Sequence, residues 1–103
     1  MLSQKEINQI IGKIKETAQP DKIYLFGSYG KGKATEQSDL DLLVIDNSSR
    51  DKNSLALQIS KSLFPRNFGL DLVITSTEEL QEKNKLKFWQ EIITKGKIVY
   101  ERK

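Results

Sequence analysis

Ile23-Tyr-Leu-Phe-Gly-Ser-Tyr-Gly-Lys-Gly-Lys-Ala-Thr-Glu-Gln-Ser-Asp-Leu-Asp-Leu-Leu-Val-Ile45 is the stretch that decides the fold. It reads as a buried strand, a glycine-rich turn and a second buried strand. The second strand opens with two aspartates, Asp39 and Asp41, one residue apart. Alternate residues of a strand point to the same face, with Cα atoms roughly 6.8 Å apart. Two carboxylates aimed into one space repel each other, and a metal cation is the usual partner that makes the arrangement favourable. The glycine turn upstream is backbone of a kind that can approach a phosphate closely. A metal and a phosphate are therefore the expected ligands of this stretch.

Composition narrows the metal. The chain of 103 residues contains neither cysteine nor histidine. Disulfides, thiolate sites, Ser-His triads and nearly all zinc sites are excluded. Any metal must be held by oxygen, which favours Mg²⁺, Mn²⁺ or Ca²⁺. The length suits one small domain, residues 1–103, with a single core and no room for a second substrate-binding domain. Charged residues make up 30% and hydrophobic residues 37%, as in a soluble globular protein. No apolar run approaches the roughly 18 residues that span a bilayer, and the N-terminus has no signal core. A cytoplasmic protein without a membrane partner is expected. The net charge of +3 is mild and its lysines are scattered, so nucleic acid is not indicated as a direct partner.

Outward from the central stretch the periodicities are clear. Ser3 and Glu6 form a capping-box pattern, followed by Ile7, Ile10, Ile11 and Ile14 on one helical face. This predicts a helix from about Gln4 to Thr17, ended by Pro20-Asp21. Lys22 to Phe26 and Asp39 to Asp46 are the first two strands. Leu40, Leu42 and Val44 of the second should meet the helices, and Asp39 and Asp41 the open face. A helix over about Ser54 to Leu63 precedes a third strand, Leu70 to Thr75. Ser76 and Glu79 repeat the capping box at a short helix. Lys85 to Lys95 reads as a further helix with Phe88 and Trp89 in the core, Gly96 at its C′ position, and Lys97 to Glu101 as an edge strand. The order predicts an α/β (α+β) domain, a small mixed sheet with helices packed mainly on one face. The connection of the first two strands is too short and too poor in helix for a comfortable parallel crossover.

Asp71, at the start of the third strand, is a third candidate. With the second and third strands adjacent, roughly 4.8 Å apart, it completes a triangle with Asp39 and Asp41. An oxygen-only triad suits one or two Mg²⁺ ions that polarise a phosphate and activate a hydroxyl. In that scheme Asp39 and Asp41 bridge the metals, and Asp71 serves the one nearest the attacking oxygen. Gly27 keeps the approach free of a side chain. Ser28 offers a hydroxyl and a backbone N–H to a phosphate oxygen, and Lys31 and Lys33 offer charge to a triphosphate.

Gly27-Ser28, ten residues, then Asp39-Leu-Asp41 resembles the Gly-Ser-x10-Asp-x-Asp signature of the minimal nucleotidyltransferases, within the DNA polymerase beta-like nucleotidyltransferase superfamily. The third acid of that pattern falls on Asp71. The resemblance spans essentially the whole chain. It implies a polymerase beta palm-like fold and a two-metal transfer of a nucleoside monophosphate from an NTP to a hydroxyl, releasing pyrophosphate. It implies that Asp39 and Asp41 bind metal, that Asp71 assists the acceptor, and that Gly27 and Ser28 hold the triphosphate. It further implies an antitoxin whose partner is a HEPN-domain ribonuclease toxin, silenced by transfer of AMP from ATP to a tyrosine. Lys31 stands where relatives often carry arginine, keeping the charge without the bidentate fork. Two alternatives are a module that masks the toxin by contact alone and an enzyme acting on a small molecule such as an aminoglycoside.

Overall fold

The structure is a computed structural model that describes residues 1–83 and 85–102. Lys103, the last residue of the expected domain, lies outside them. Helix α1 (Gln4–Ala18) leads into β1 (Lys22–Phe26), the single turn α2 (Gly27–Gly30) and β2 (Leu40–Ile45). Then come α3 (Lys52–Ser62), β3 (Leu70–Thr75), α4 (Thr77–Lys83), α5 (Lys87–Lys95) and β4 (Lys97–Glu101).

The strands form one mixed sheet in the order β3-β2-β1-β4. β1 runs antiparallel to both β2 and β4, and β2 runs parallel to β3. The chain dictates this. Gly27 to Asp39 is enough to reverse direction but holds only one helical turn, so β1 and β2 pair antiparallel. Between β2 and β3 the chain inserts α3, a helix able to carry a parallel crossover. β2 is central, and Leu40, Leu42, Leu43, Val44 and Ile45 are all buried on one face or the other. A strand covered on both sides reads as a nearly continuous apolar run.

α1 and α3 make the main helical layer. Their Ile7, Ile10, Ile11, Ile14, Leu55 and Ile59 meet Ile23, Leu25, Leu40, Leu42 and Val44 of the sheet. α4 and α5 place Leu80 and Ile92 on the opposite face, against Tyr24, Leu43 and Ile45, in a smaller cluster. That second cover stops short of the N-terminal ends of β2 and β3, where Asp39 and Asp71 remain exposed.

The caps decide the boundaries. Ser3 Oγ accepts from the Glu6 N–H at 3.1 Å and the Glu6 carboxylate accepts from the Ser3 N–H at 3.0 Å, the reciprocal box expected. α1 ends at Gln19, which takes the left-handed conformation (φ 47°) before Pro20. α3 starts at Lys52 because Asp51 caps it, accepting from the Ser54 N–H at 2.9 Å. Gly96 departs from the left-handed C′ role, being extended at φ −74°. Its lack of a side chain serves packing: a Cβ there would strike the Ile92 carbonyl oxygen and come within 3.2 Å of that of Leu25. Phe88 departs from the core, with 52% of its surface exposed.

Candidate active site

β1 ends at Phe26 and the chain turns sharply at Gly27, whose φ of +67° suits glycine. A Cβ at Gly27 would land on the Asp41 carboxylate. Gly27 therefore brings the turn into contact with the acid, on the next strand, that the sequence placed in the same site. Gly30 is equally tight: a Cβ would lie 2.7 Å from the Leu25 carbonyl oxygen. The turn is closed by the Lys31 N–H bonding to the Gly27 carbonyl at 3.1 Å and the Lys33 N–H to that of Ser28 at 2.9 Å. Tyr29, buried beneath it, accepts a hydrogen bond from the Leu2 N–H at 2.9 Å. The start of the chain thus braces the turn, a contact no local pattern announces.

The sheet register sets the acids. Phe26 pairs with Asp41, and Asp41 with Asp71, so the three form a row across β1, β2 and β3 on one face. Asp41 is half-buried and Asp71 exposed. Burial, then the negative charges of Asp71 and Asp39, then a hydrogen-bonding contact with the Asp71 carboxyl, push the Asp41 carboxyl up to about 6. Each of these disfavours a second negative charge in the space.

Asp39 lies just before β2 and is exposed. Its carboxylate packs against Gly69, where a Cβ would strike it. Gly69 is fixed opposite by the Leu40 N–H bonding to its carbonyl at 2.8 Å. The structure thus brings Asp41 and Asp71 together with Gly27, while Asp39 rests on Gly69 close enough for its charge to act on Asp41. Among the described residues no three acidic side chains gather into a ready-made metal cage. The donor set nonetheless fits a divalent cation. It is oxygen only, it forces two carboxylates together, and the negative charges of Asp71 and Asp39 add to burial in pushing Asp41 up, a repulsion that a cation would relieve.

Ser28 is half-buried beside Gly27, and Lys31 is exposed at the far side of the turn. Phe26, Gly27 and Lys31 share a cavity of about 220 Å³ with Phe88, Ile92 and Lys95 of α5. Gly69 and Phe88 are the two contributors missed at the level of sequence. Gly69 sits two residues before Asp71 and packs on Asp39, as Gly27 packs on Asp41. Phe88 looked like any apolar residue on a helical face.

A mixed sheet with aspartates at the mouths of two parallel strands, facing a glycine turn, defines a nucleotidyltransferase. The chain belongs to the family described as "Polymerase beta, Nucleotidyltransferase", whose profile matches residues 8–103. It is 26% identical over 102 residues to "Putative protein adenylyltransferase MJ0604" of Methanocaldococcus jannaschii, covering 97% of this chain and all of that protein. Among solved structures it resembles "Crystal structure of the toxin-antitoxin with AMP-PNP", with a TM-score of 0.58 at 26% identity, over 93% of this chain and 74% of that one. A Sulfolobus solfataricus structure superposes with a TM-score of 0.61 over 93% of this chain and 78% of that one. At 16% identity it speaks for the fold alone.

No helix among the described residues is long and apolar enough to cross a membrane.

Proposed function

We propose that this nucleotidyltransferase moves AMP from ATP to a hydroxyl of a partner protein, releasing pyrophosphate. The acceptor is a tyrosine of a HEPN-type ribonuclease toxin, and the chain acts as its antitoxin in the cytoplasm. The observation that carries the reading is the pairing of Asp41 with Asp71 across β2 and β3, with the Gly27 turn packed directly on the Asp41 carboxylate. The relative named for protein adenylyl transfer and the toxin–antitoxin structure named with AMP-PNP support the donor and the kind of partner.

Asp39, Asp41 and Asp71 would hold Mg²⁺, with Mn²⁺ as a substitute. Two such ions supply charge neutralisation on the triphosphate and a lowered pKa for the attacking hydroxyl. Gly27 and Ser28 seat the phosphates, and Lys31 adds positive charge beside them. Asp71, exposed at the edge strand, orients the acceptor hydroxyl and takes its proton. The acceptor oxygen bonds to the α-phosphorus as the bond to the bridging β-phosphate oxygen breaks.

The test is incubation of the protein with its neighbouring-gene partner, ATP and Mg²⁺, read by mass spectrometry. A gain of one or more AMP units on a tyrosine is expected, and none with the paired change Asp39→Asn and Asp41→Asn. Full transfer by that variant would sink the assignment. That no three acidic side chains among the described residues gather into a ready-made metal cage favours a second reading, contact-only masking of the toxin. Equal inhibition by the double variant, with no mass added, would establish it.

A further inference from the structure

The cavity between α2 and α5 is not used by the acids. Phe26, Phe88 and Ile92 give it apolar walls, and Lys31, Glu91 and Lys95 line it with charge. Phe88, Glu91, Ile92 and Lys95 follow the i, i+3, i+4, i+7 spacing, so one face of α5 supplies a whole wall. Phe26 and Trp89 meet Phe88 edge-on, at centroid distances of 6.1 and 5.4 Å, and neither stacks flat on it. Half of that ring is exposed. An aromatic ring left open in a site edged by lysines is costly to leave against water, and suited to a flat, weakly polar ligand that carries negative charge.

Two residues tie this cavity to the acidic row. Phe26 is a wall of the cavity and is also the register partner of Asp41. Gly27 lines the cavity and packs on the Asp41 carboxylate. A molecule whose phosphate lies at Gly27 thus has a neighbouring apolar slot within reach. About 220 Å³ is below the range of sites that enclose a whole drug-sized ligand, and suits a single heterocycle.

We propose that this cavity is the nucleobase subsite, with the base of the donor nucleotide packed against Phe88 and its phosphates led by Lys31 and Lys95 to Gly27. The proposal rests on the reading of a nucleoside triphosphate donor and deepens it.

The test compares binding of ATP and of inorganic tripolyphosphate, with Mg²⁺ and no acceptor, by calorimetry. Trp89, the one tryptophan of the chain and a neighbour of Phe88, adds a fluorescence readout. Wild-type protein should bind ATP more tightly than tripolyphosphate, and only ATP should change the Trp89 emission. Phe88→Ala should weaken ATP about tenfold or more and leave tripolyphosphate within about twofold, as loss of one base–aromatic stack requires. Phe88→Tyr should restore ATP binding. Unchanged ATP affinity in Phe88→Ala overturns the subsite, as does an equal fall for both ligands. Unchanged ATP affinity with slowed modification of the partner would instead assign the cavity to the acceptor. Wild-type protein that binds tripolyphosphate as tightly as ATP refutes the base subsite alone. Wild-type protein that binds neither refutes the nucleotide donor and the subsite with it.

Discussion

Gly27 and Gly69 each touch an acid, and they are not equivalent. Gly27 has φ +67° and would place a Cβ on Asp41, so Gly27→Ala meets backbone strain and a collision together. A loss of about 1–3 kcal/mol in urea-denaturation stability is expected, with loss of transfer. Gly69 has no left-handed φ, and its Cβ would meet only the end of a mobile side chain, Asp39. Gly69→Ala should keep its stability to within about 1 kcal/mol while transfer falls tenfold or more, because Asp39 is displaced. A pure stability loss with normal transfer would show that Asp39 is not needed. Asp41 makes a second case. Its folded-state pKa of about 6 lies above the usual carboxylate value, so the folded state binds the extra proton. The stability this proton gives is fully present below about pH 4 and is lost as pH rises through 6. Asp41→Asn should therefore raise the melting temperature of metal-free protein at pH 7.5 by a few degrees, about 1 kcal/mol after allowing for screening by water, and give no gain at pH 4. That Asp41 and Asp71 would share one face was legible in the alternation of strand residues. The contact of Asp39 with Gly69 was not, because Asp39 precedes the strand and Gly69 the next, where alternation no longer guides the reading.

The second helical layer shows what elements add to residues. α4 is held to the end of β2 by Asn47, whose carbonyl accepts from the Thr77 N–H at 2.8 Å and whose amide donates to Thr77 Oγ1 at 3.0 Å. Ser76 Oγ accepts from the Glu79 N–H at 3.1 Å, half of the expected box. The Glu79 carboxylate instead pairs with Lys52 of α3 and, at 3.6 Å, with Lys83 of its own helix, so the second half of the box is traded for one link between elements and one within α4. Asn47→Ala should cost about 1–2 kcal/mol, read as a lower urea midpoint with an unchanged slope. β3 and α1 could be bounded from sequence almost to the residue, since their apolar periods run cleanly between strong caps. α5 could be placed but not oriented. The pattern Phe88, Trp89, Ile92, Ile93 is apolar over too wide an arc to tell which side is buried. Only the packing of Ile92 on Tyr24 and Leu43 decides it and leaves Phe88 at the cavity.

At the scale of the whole molecule the mixed sheet followed from connection lengths, but its two-sided cover did not. The chain gives α4 and α5 to the face that also carries Asp41 and Asp71, so a single face serves partly as core and partly as site. That division makes the acids a cost to the fold when no cation is present, since they are crowded beside apolar cover rather than spread in water. A bound cation should then act on global stability. At a free Mg²⁺ concentration ten times its dissociation constant, the folded state gains about 1.4 kcal/mol, which raises the melting temperature by about 5 °C or more for a domain of this size. Protons compete for the same oxygens. At pH 5 a group with pKa near 6 is protonated in roughly nine molecules of ten, so the same Mg²⁺ concentration falls to about one apparent dissociation constant and the gain to about 0.4 kcal/mol. Melting curves at pH 7.5 and pH 5, with and without Mg²⁺, check this directly. The shift should be large at pH 7.5, mostly lost at pH 5 and lost at both in the variant carrying Asp39→Asn and Asp41→Asn. A Mg²⁺ shift that survives in that variant would place the cation elsewhere on the molecule.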